Sequence, residues 1–201
     1  MAVDQRAAFG AAAAWFRATV GEVGDRWAEP GLGEWTVRDL VGHTSRSLVT
    51  VEAYLDAEPG EVTVGSSVAY YVAVRAAATG PAVAERGRQA GAAMGADPPA
   101  FLAALAERVL AKVAAADDDA FVATAAGGMT LADYLPTRTF ELVVHTADLA
   151  AALGLSTDPP PEALGSALEL AAMLVREHGD GVAVLLALTG RRPLPPGFTV
   201  L

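Results

Sequence analysis

Apolar side chains recur at steps of three and four residues along most of the chain, the spacing that gathers them on one face of an α-helix. The first such stripe runs from Phe9 to Trp27, and Pro30 with its neighbouring glycines ends it. A second stripe follows Thr36, which suits a helix N-cap, and Asp39 lies three residues on as its capping-box partner. The pattern predicts two long amphipathic helices at the start of the chain.

The same spacing predicts further helices in the second half. One begins at Asp97, before a proline that a first helical turn tolerates, and another covers residues 130–153. Pro136 lies inside the latter, so we expect a kink there or a helix that begins there. An amphipathic helix follows the prolines at 159–161, and a short apolar helix is predicted for about 180–189.

The middle of the chain carries weaker signals. Residues 59–68 show no periodicity, and residues 68–75 favour a short helix. The Gly- and Ala-rich residues 80–95 fit either a weak helix or a loop. We find no convincing strand alternation and no tight-hairpin signal. These segments therefore add no sheet to the prediction.

Together the elements predict an all-α fold, a four-helix bundle with short additional C-terminal helices. At 201 residues, of which 53% are hydrophobic and 19% charged, the chain suits a globular domain. We expect a single domain over residues 1–201, with its bundle core at about 5–154 and a helical extension at about 160–190.

Charge and hydropathy exclude several classes of partner. The net charge of −10 and the pI near 4.6 disfavour nucleic acid and anionic membrane surfaces. No apolar stretch approaches the roughly 20 residues of a membrane span. The alanine run at 11–14 is flanked by charged residues, so it fits a helix of the mature protein better than a targeting segment. We expect a cytoplasmic monomer or homodimer.

The absence of cysteine restricts the chemistry. Disulfides, thiolate metal sites and a cysteine nucleophile are excluded, so any metal must be held by histidine and carboxylate. All basic residues except Lys112 are arginine, a bias that indicates a GC-rich genome.

A polar row runs beside the core stripe of the helix predicted at 130–153. In it, Glu141 and His145 lie four residues apart, so both side chains share one helix face. His43 lies at the edge of an earlier stripe and points near the core. Together they would form a two-histidine, one-carboxylate site with positions open for water or substrate. The alternatives are a surface Glu141–His145 pair and a hydrogen-bonded core histidine.

Four further positions have two interpretations each. Asp148 could orient a ligand imidazole from outside the metal shell, or be a solvated or capping carboxylate. Arg138 could meet an anionic substrate, although pairing with an acid of its own helix is favoured. The tyrosines at 70–71 could line a pocket, although core packing is favoured. His178 is expected on the surface.

Two strings carry a family resemblance. The string WTVRDLVGH at residues 35–43 resembles the second-helix signature of the DinB/YfiT-like superfamily. The string RTFELVVHTADLA at residues 138–150 resembles the second motif of the N-terminal domain of mycothiol-dependent maleylpyruvate isomerases, and LLALTGR at residues 185–191 resembles the segment that follows. The motifs stand in the family's order and span most of the chain.

The resemblance implies a DinB-like bundle in which His43, Glu141 and His145 bind one divalent metal. Zinc is the usual ion in this family, and nickel is an alternative. It also implies a small-molecule thiol cofactor, because the chain has no cysteine of its own. Mycothiol fits a GC-rich actinobacterium, whereas bacillithiol or glutathione serves related proteins.

The implied chemistry is addition of a thiolate to an electrophilic substrate, with rotation and elimination in the isomerase. Those isomerases carry a separate C-terminal α/β domain, whereas the residues after Gly154 are predicted to be helical here. We therefore expect a thiol S-transferase or a related thiol-linked metalloenzyme rather than that particular isomerase. The alternative is a metal-holding bundle without turnover, which acts in storage or partner contacts.

Overall fold

The computed structural model describes residues 3–75 and 81–201, without the side chain of Pro81. Eight α-helices make up most of the described chain: α1 (Gln5–Gly21), α2 (Val37–Leu55), α3 (Ser67–Val74), α4 (Pro81–Ala93), α5 (Pro98–Ala115), α6 (Leu131–Ala152), α7 (Pro161–Glu177) and α8 (Gly181–Leu188). Two short antiparallel pairs accompany them, β1 (Pro30–Leu32) with β2 (Trp35–Thr36) and β3 (Phe121–Thr124) with β4 (Gly127–Thr130). The predicted all-α class is confirmed.

Four helices enclose the core. α1 packs against α5 and α6, and α2 packs against the same two helices, so the four close into a ring. α4 lies along the outer side of α2, while α7 covers α1 and α6. Each helix of the ring contributes fully buried side chains to the centre: Phe9, Phe16, Leu40, Leu48, Leu102, Leu105, Leu135 and Leu142.

The starts of the two site-bearing helices follow local sequence. Before α2, the Thr36 hydroxyl accepts from the Asp39 amide at 3.2 Å, and the Asp39 carboxylate accepts from the Thr36 amide at 3.1 Å. This is the predicted capping box. Thr130 caps α6 through the amide of Asp133 at 3.2 Å. Since α6 runs from Leu131 through Pro136, the helix does not begin at its proline.

Three boundaries differ from the sequence prediction. The first helix ends at Gly21 instead of continuing along its stripe, because Gly24 adopts a left-handed φ of +61° before a short 3₁₀ turn. The ambiguous segment at 80–95 contains helix α4, and its first residue, Gly80, lies outside the described residues. The β3–β4 hairpin was not predicted, since four-residue strands rich in glycine are too short to show alternation.

None of the helices that the structure describes is long and apolar enough to cross a bilayer.

Candidate metal centre

α2 presents His43 to the interior of the bundle. The indole of Trp35 packs against the imidazole, with ring centroids 4.5 Å apart, and its Nε1 donates to the Ala84 carbonyl of α4 at 3.1 Å. On the other side of the ring lies His145 of α6, with centroids 4.7 Å apart and an edge-on angle of 86°. The ring of His43 is therefore held between three helices.

α6 supplies the other two side chains from a single face. His145 Nε2 lies 3.2 Å from Glu141 Oε2, as the four-residue spacing predicts. The two side chains are 17% and 19% exposed, so this is not a solvated surface pair. The alternative of an ordinary surface contact is thereby excluded.

The structure brings the predicted set together. One ligand atom from each of His43, Glu141 and His145 lies within 4.8 Å of the other two. Around a tetrahedral zinc, ligand distances of about 2.0–2.2 Å place such atoms about 3.4 Å apart. Binding would therefore draw the three side chains slightly inward. Their role as metal ligands stays a prediction.

His43 has the protonation state that a ligand needs. Burial, aided by the charge of His145, lowers the pKa of His43 to about 4, so the ring is neutral at neutral pH. Its Nδ1 is buried and has no hydrogen-bond partner among the described residues. An orphaned buried ring nitrogen costs about 1–3 kcal/mol. A hydrogen-bonded core histidine is thus not what the structure has, and the donor set fits a cation.

Glu141 and His145 form a strongly polarised pair. Burial alone raises the pKa of Glu141, but the hydrogen bond from His145 and the charge of Arg138 lower it to about 2. Burial opposes protonation of His145, whereas hydrogen bonds to Asp148 and Glu141 raise its pKa to about 9. A proton thus lies between the imidazole and the carboxylate, where a cation would compete with it.

Two outer contacts orient these side chains. The Tyr71 hydroxyl donates to Glu141 Oε1 at 2.7 Å, which leaves Oε2 directed at His145. His145 Nδ1 lies 3.2 Å from Asp148 Oδ2, and a carboxylate can only accept, so the imidazole donates there through Nδ1. This is the contact expected of a residue that orients a ligand histidine.

Arg138 does not pair with an acid of its own helix. Among the described residues, no carboxylate lies within ion-pair distance of its guanidinium. It lies instead over the rings of Tyr70 and Tyr134, 5.3 and 5.0 Å from their centroids, and Nη2 donates to the Tyr70 hydroxyl at 3.3 Å. The favoured structural pairing is therefore wrong.

The three candidate ligands open onto a cavity of about 670 Å³. Its wall combines aromatic rings with cationic side chains, and Tyr70 and Tyr71 line it although both are buried. They thus serve the core and the cavity at once.

His178 and the segment 199–201 also line the cavity, which the sequence did not predict. His178 follows α7 and is half-buried, so the expected surface position is wrong. Segment 199–201 lies outside every periodic stretch, and no local signal marks it. Both reach the site through tertiary packing.

Comparison with known proteins returns one family. A sequence model of the mycothiol maleylpyruvate isomerase N-terminal domain matches residues 9–150, more than half of the chain. The matched range includes all three candidate ligands and ends before α7. No curated protein and no solved structure matches the chain.

Proposed function

The chain belongs to the mycothiol maleylpyruvate isomerase N-terminal domain family, and on that premise we propose that it is a thiol-dependent metalloenzyme with one divalent cation at His43, Glu141 and His145. The expected reaction is S-transfer or thiol-assisted isomerisation of an electrophilic small molecule. The observation that carries the proposal is the convergence of these three side chains, from two helices, within 4.8 Å.

The donor set favours a particular class of ion. Two imidazoles and one carboxylate suit zinc and other transition metals better than calcium or magnesium, which prefer oxygen ligands. The orphaned Nδ1 of His43 and the outer hydrogen bonds of Glu141 and His145 support the same interpretation. We propose zinc, with nickel as the alternative.

The chain's own residues divide the work. Asp148 holds the imidazole of His145 in one tautomer, and Tyr71 holds the carboxylate of Glu141. Three protein ligands leave a coordination position that faces the cavity. A cation there would supply Lewis acidity that lowers the pKa of a bound thiol. The thiol has to be a separate small molecule, for which we propose mycothiol, because the chain has no cysteine.

The first experiment is metal content by elemental mass spectrometry on the purified chain. We expect near-stoichiometric zinc or nickel in the wild type and its loss in His145→Ala. His178→Ala is the matched control, since it removes a cavity histidine that lies outside the cluster. Absence of metal from the wild type after reconstitution would contradict the proposal.

A thiol screen separates the enzyme from a metal-holding bundle without turnover. Metal-loaded protein is mixed with mycothiol, bacillithiol or glutathione and an electrophile such as monobromobimane. We expect conjugation with one thiol at a rate well above that of the metal-free protein. Stoichiometric metal without acceleration by any thiol would favour storage or partner contacts instead.

A further inference from the structure

Arg138 is a buried cation without a counter-ion. Its side chain is only 8% exposed, yet no carboxylate pairs with it among the described residues. Burial of an unpaired charge is unfavourable unless something compensates it. In the structure the compensation comes from the faces of Tyr70 and Tyr134, which stabilise the charge but do not neutralise it.

The hydrogen bonds of the guanidinium are incomplete as well. Its five N–H donors are served by two contacts in the described chain, Nε to the Thr137 hydroxyl at 3.0 Å and Nη2 to the Tyr70 hydroxyl at 3.3 Å. Because Tyr70 accepts from Arg138, its own O–H proton is available to a further acceptor. Both residues line the cavity, so both have donors to offer a ligand there.

The charge of the surrounding wall points the same way. Arg46, Arg75 and Arg86 line the cavity together with Arg138, whereas Glu141 is the one carboxylate in the described lining. The chain as a whole carries a net charge of −10, so a wall with four guanidiniums is a local reversal of sign. If a cation takes up the charge of Glu141, the remaining wall has no anion of its own.

We propose that Arg138 and Tyr70 form an anion-binding subsite that receives a carboxylate group of the substrate. The inference rests on the proposed function, because it names the class of molecule that the same cavity accepts. Arginine presents parallel N–H groups that match two carboxylate oxygens, and the tyrosine hydroxyl adds a third donor. The substrate class is therefore an electrophilic carboxylic acid rather than a neutral electrophile.

The test is direct binding, observed by ¹⁹F NMR, of 4-fluorobenzoate and its neutral analogue 4-fluorobenzamide. Both are measured on chelator-treated and on zinc-loaded protein, so the subsite is assessed apart from the metal. We expect the carboxylate to bind at least tenfold more tightly than the amide in both forms. Equal affinity for the two probes would overturn the subsite.

Variants assign the effect to the two residues. Arg138→Gln should reduce benzoate affinity at least tenfold, and Tyr70→Phe, which keeps the ring over the guanidinium, about threefold. Arg17→Gln, an exposed arginine of α1 away from the cavity, controls for net charge and should change nothing. Unchanged benzoate binding in Arg138→Gln would overturn the assignment.

Two further arms keep the test decisive. If Arg138→Gln does not fold, as judged by circular dichroism, Arg138→Lys replaces it, and we expect that loss of the planar fork weakens benzoate binding. Displacement of benzoate by inorganic phosphate supports a subsite for oxyanions in general, whereas no displacement supports one selective for carboxylates. Benzoate binding without metal uptake would leave the subsite standing and remove the metalloenzyme proposal.

Discussion

The two histidines of the cluster differ because their hydrogen-bond partners differ. His43 meets an indole and another imidazole, so burial keeps its ring neutral and leaves Nδ1 without a partner. His145 has a carboxylate at each nitrogen, Glu141 and Asp148, which favours the charged ring when no cation is bound. One side chain thus waits for a positive charge, while the other has to exchange a proton for it.

Removal of Asp148 should weaken metal binding without removing a ligand. The carboxylate fixes the orientation of His145 through Nδ1, and loss of such an outer contact typically costs about 10–100-fold in metal affinity. We expect this loss in Asp148→Ala, measured by competition with a chromogenic zinc chelator. Asp158→Ala, an exposed acid away from the cluster, is the control. Affinities within twofold of the wild type would indicate a merely solvated carboxylate.

Buried tyrosines predict a loss of stability at high pH. Burial, opposed in part by Arg138, raises the pKa of Tyr134 above its ordinary value, whereas an unfolded tyrosine titrates near 10. As the pH rises past 10 the unfolded state releases a proton that the folded state keeps, so the free energy of unfolding falls, by about 1.4 kcal/mol at pH 11.

Urea unfolding between pH 9 and 11 measures this effect. Tyr134→Phe should show a shallower decline than the wild type, by about the contribution of one tyrosine. Parallel declines in the two proteins would mean that Tyr134 titrates normally in the folded state.

At the scale of elements, glycines set the distance between α2 and α4. A Cβ on Gly42 would lie 2.8 Å from the carbonyl carbon of Ala90 and closer still to the backbone of Gly91. On Gly87 it would lie 2.8 Å from the indole of Trp35, the ring that packs on His43. The helix contact therefore fixes the surroundings of the cluster as well as the fold.

We expect Gly42→Ala to destabilise the protein by about 1–3 kcal/mol, the typical cost of overpacking, and to weaken zinc binding because His43 is the next residue. Gly10→Ala in α1 is the matched control. Its Cβ would meet only Leu110 at 3.9 Å, so the better helix propensity should stabilise by up to about 1 kcal/mol. Urea midpoints compare the variants, and equal midpoints for Gly42→Ala and the wild type would contradict the close approach.

For the whole molecule, the cluster joins α2 to α6 across the bundle. His43 belongs to one helix and Glu141 and His145 to the other, so a cation bound by all three ties together segments about 100 residues apart in sequence. Any ligand that binds only the folded state raises its stability by mass action.

Zinc should accordingly raise the melting temperature. At free zinc about 100-fold above the dissociation constant, the gain is about 2.7 kcal/mol, or roughly 5–11 °C for a chain of this size. Differential scanning calorimetry with and without a chelator measures it, and His145→Ala should lose the shift. A zinc-dependent increase of the same size in that variant would place the binding site elsewhere.

Local interactions made much of the fold readable from the sequence. The capping box at Thr36 and Asp39 and the shared helix face of Glu141 and His145 depend on residues three or four positions apart, so periodicity predicted them. The family resemblance, now supported by the match over residues 9–150, added His43 as their partner. These contacts need only the formation of a helix.

Tertiary structure alone decided what surrounds the cluster. Arg138 lies over two tyrosines rather than beside an acid, and His178 reaches the cavity from a later helix. α4 is helical despite its glycines, since Gly87 and Gly91 allow it to pack closely on the β2–α2 segment. Such contacts join residues far apart in the chain, and their free energy depends on burial that no sequence window contains.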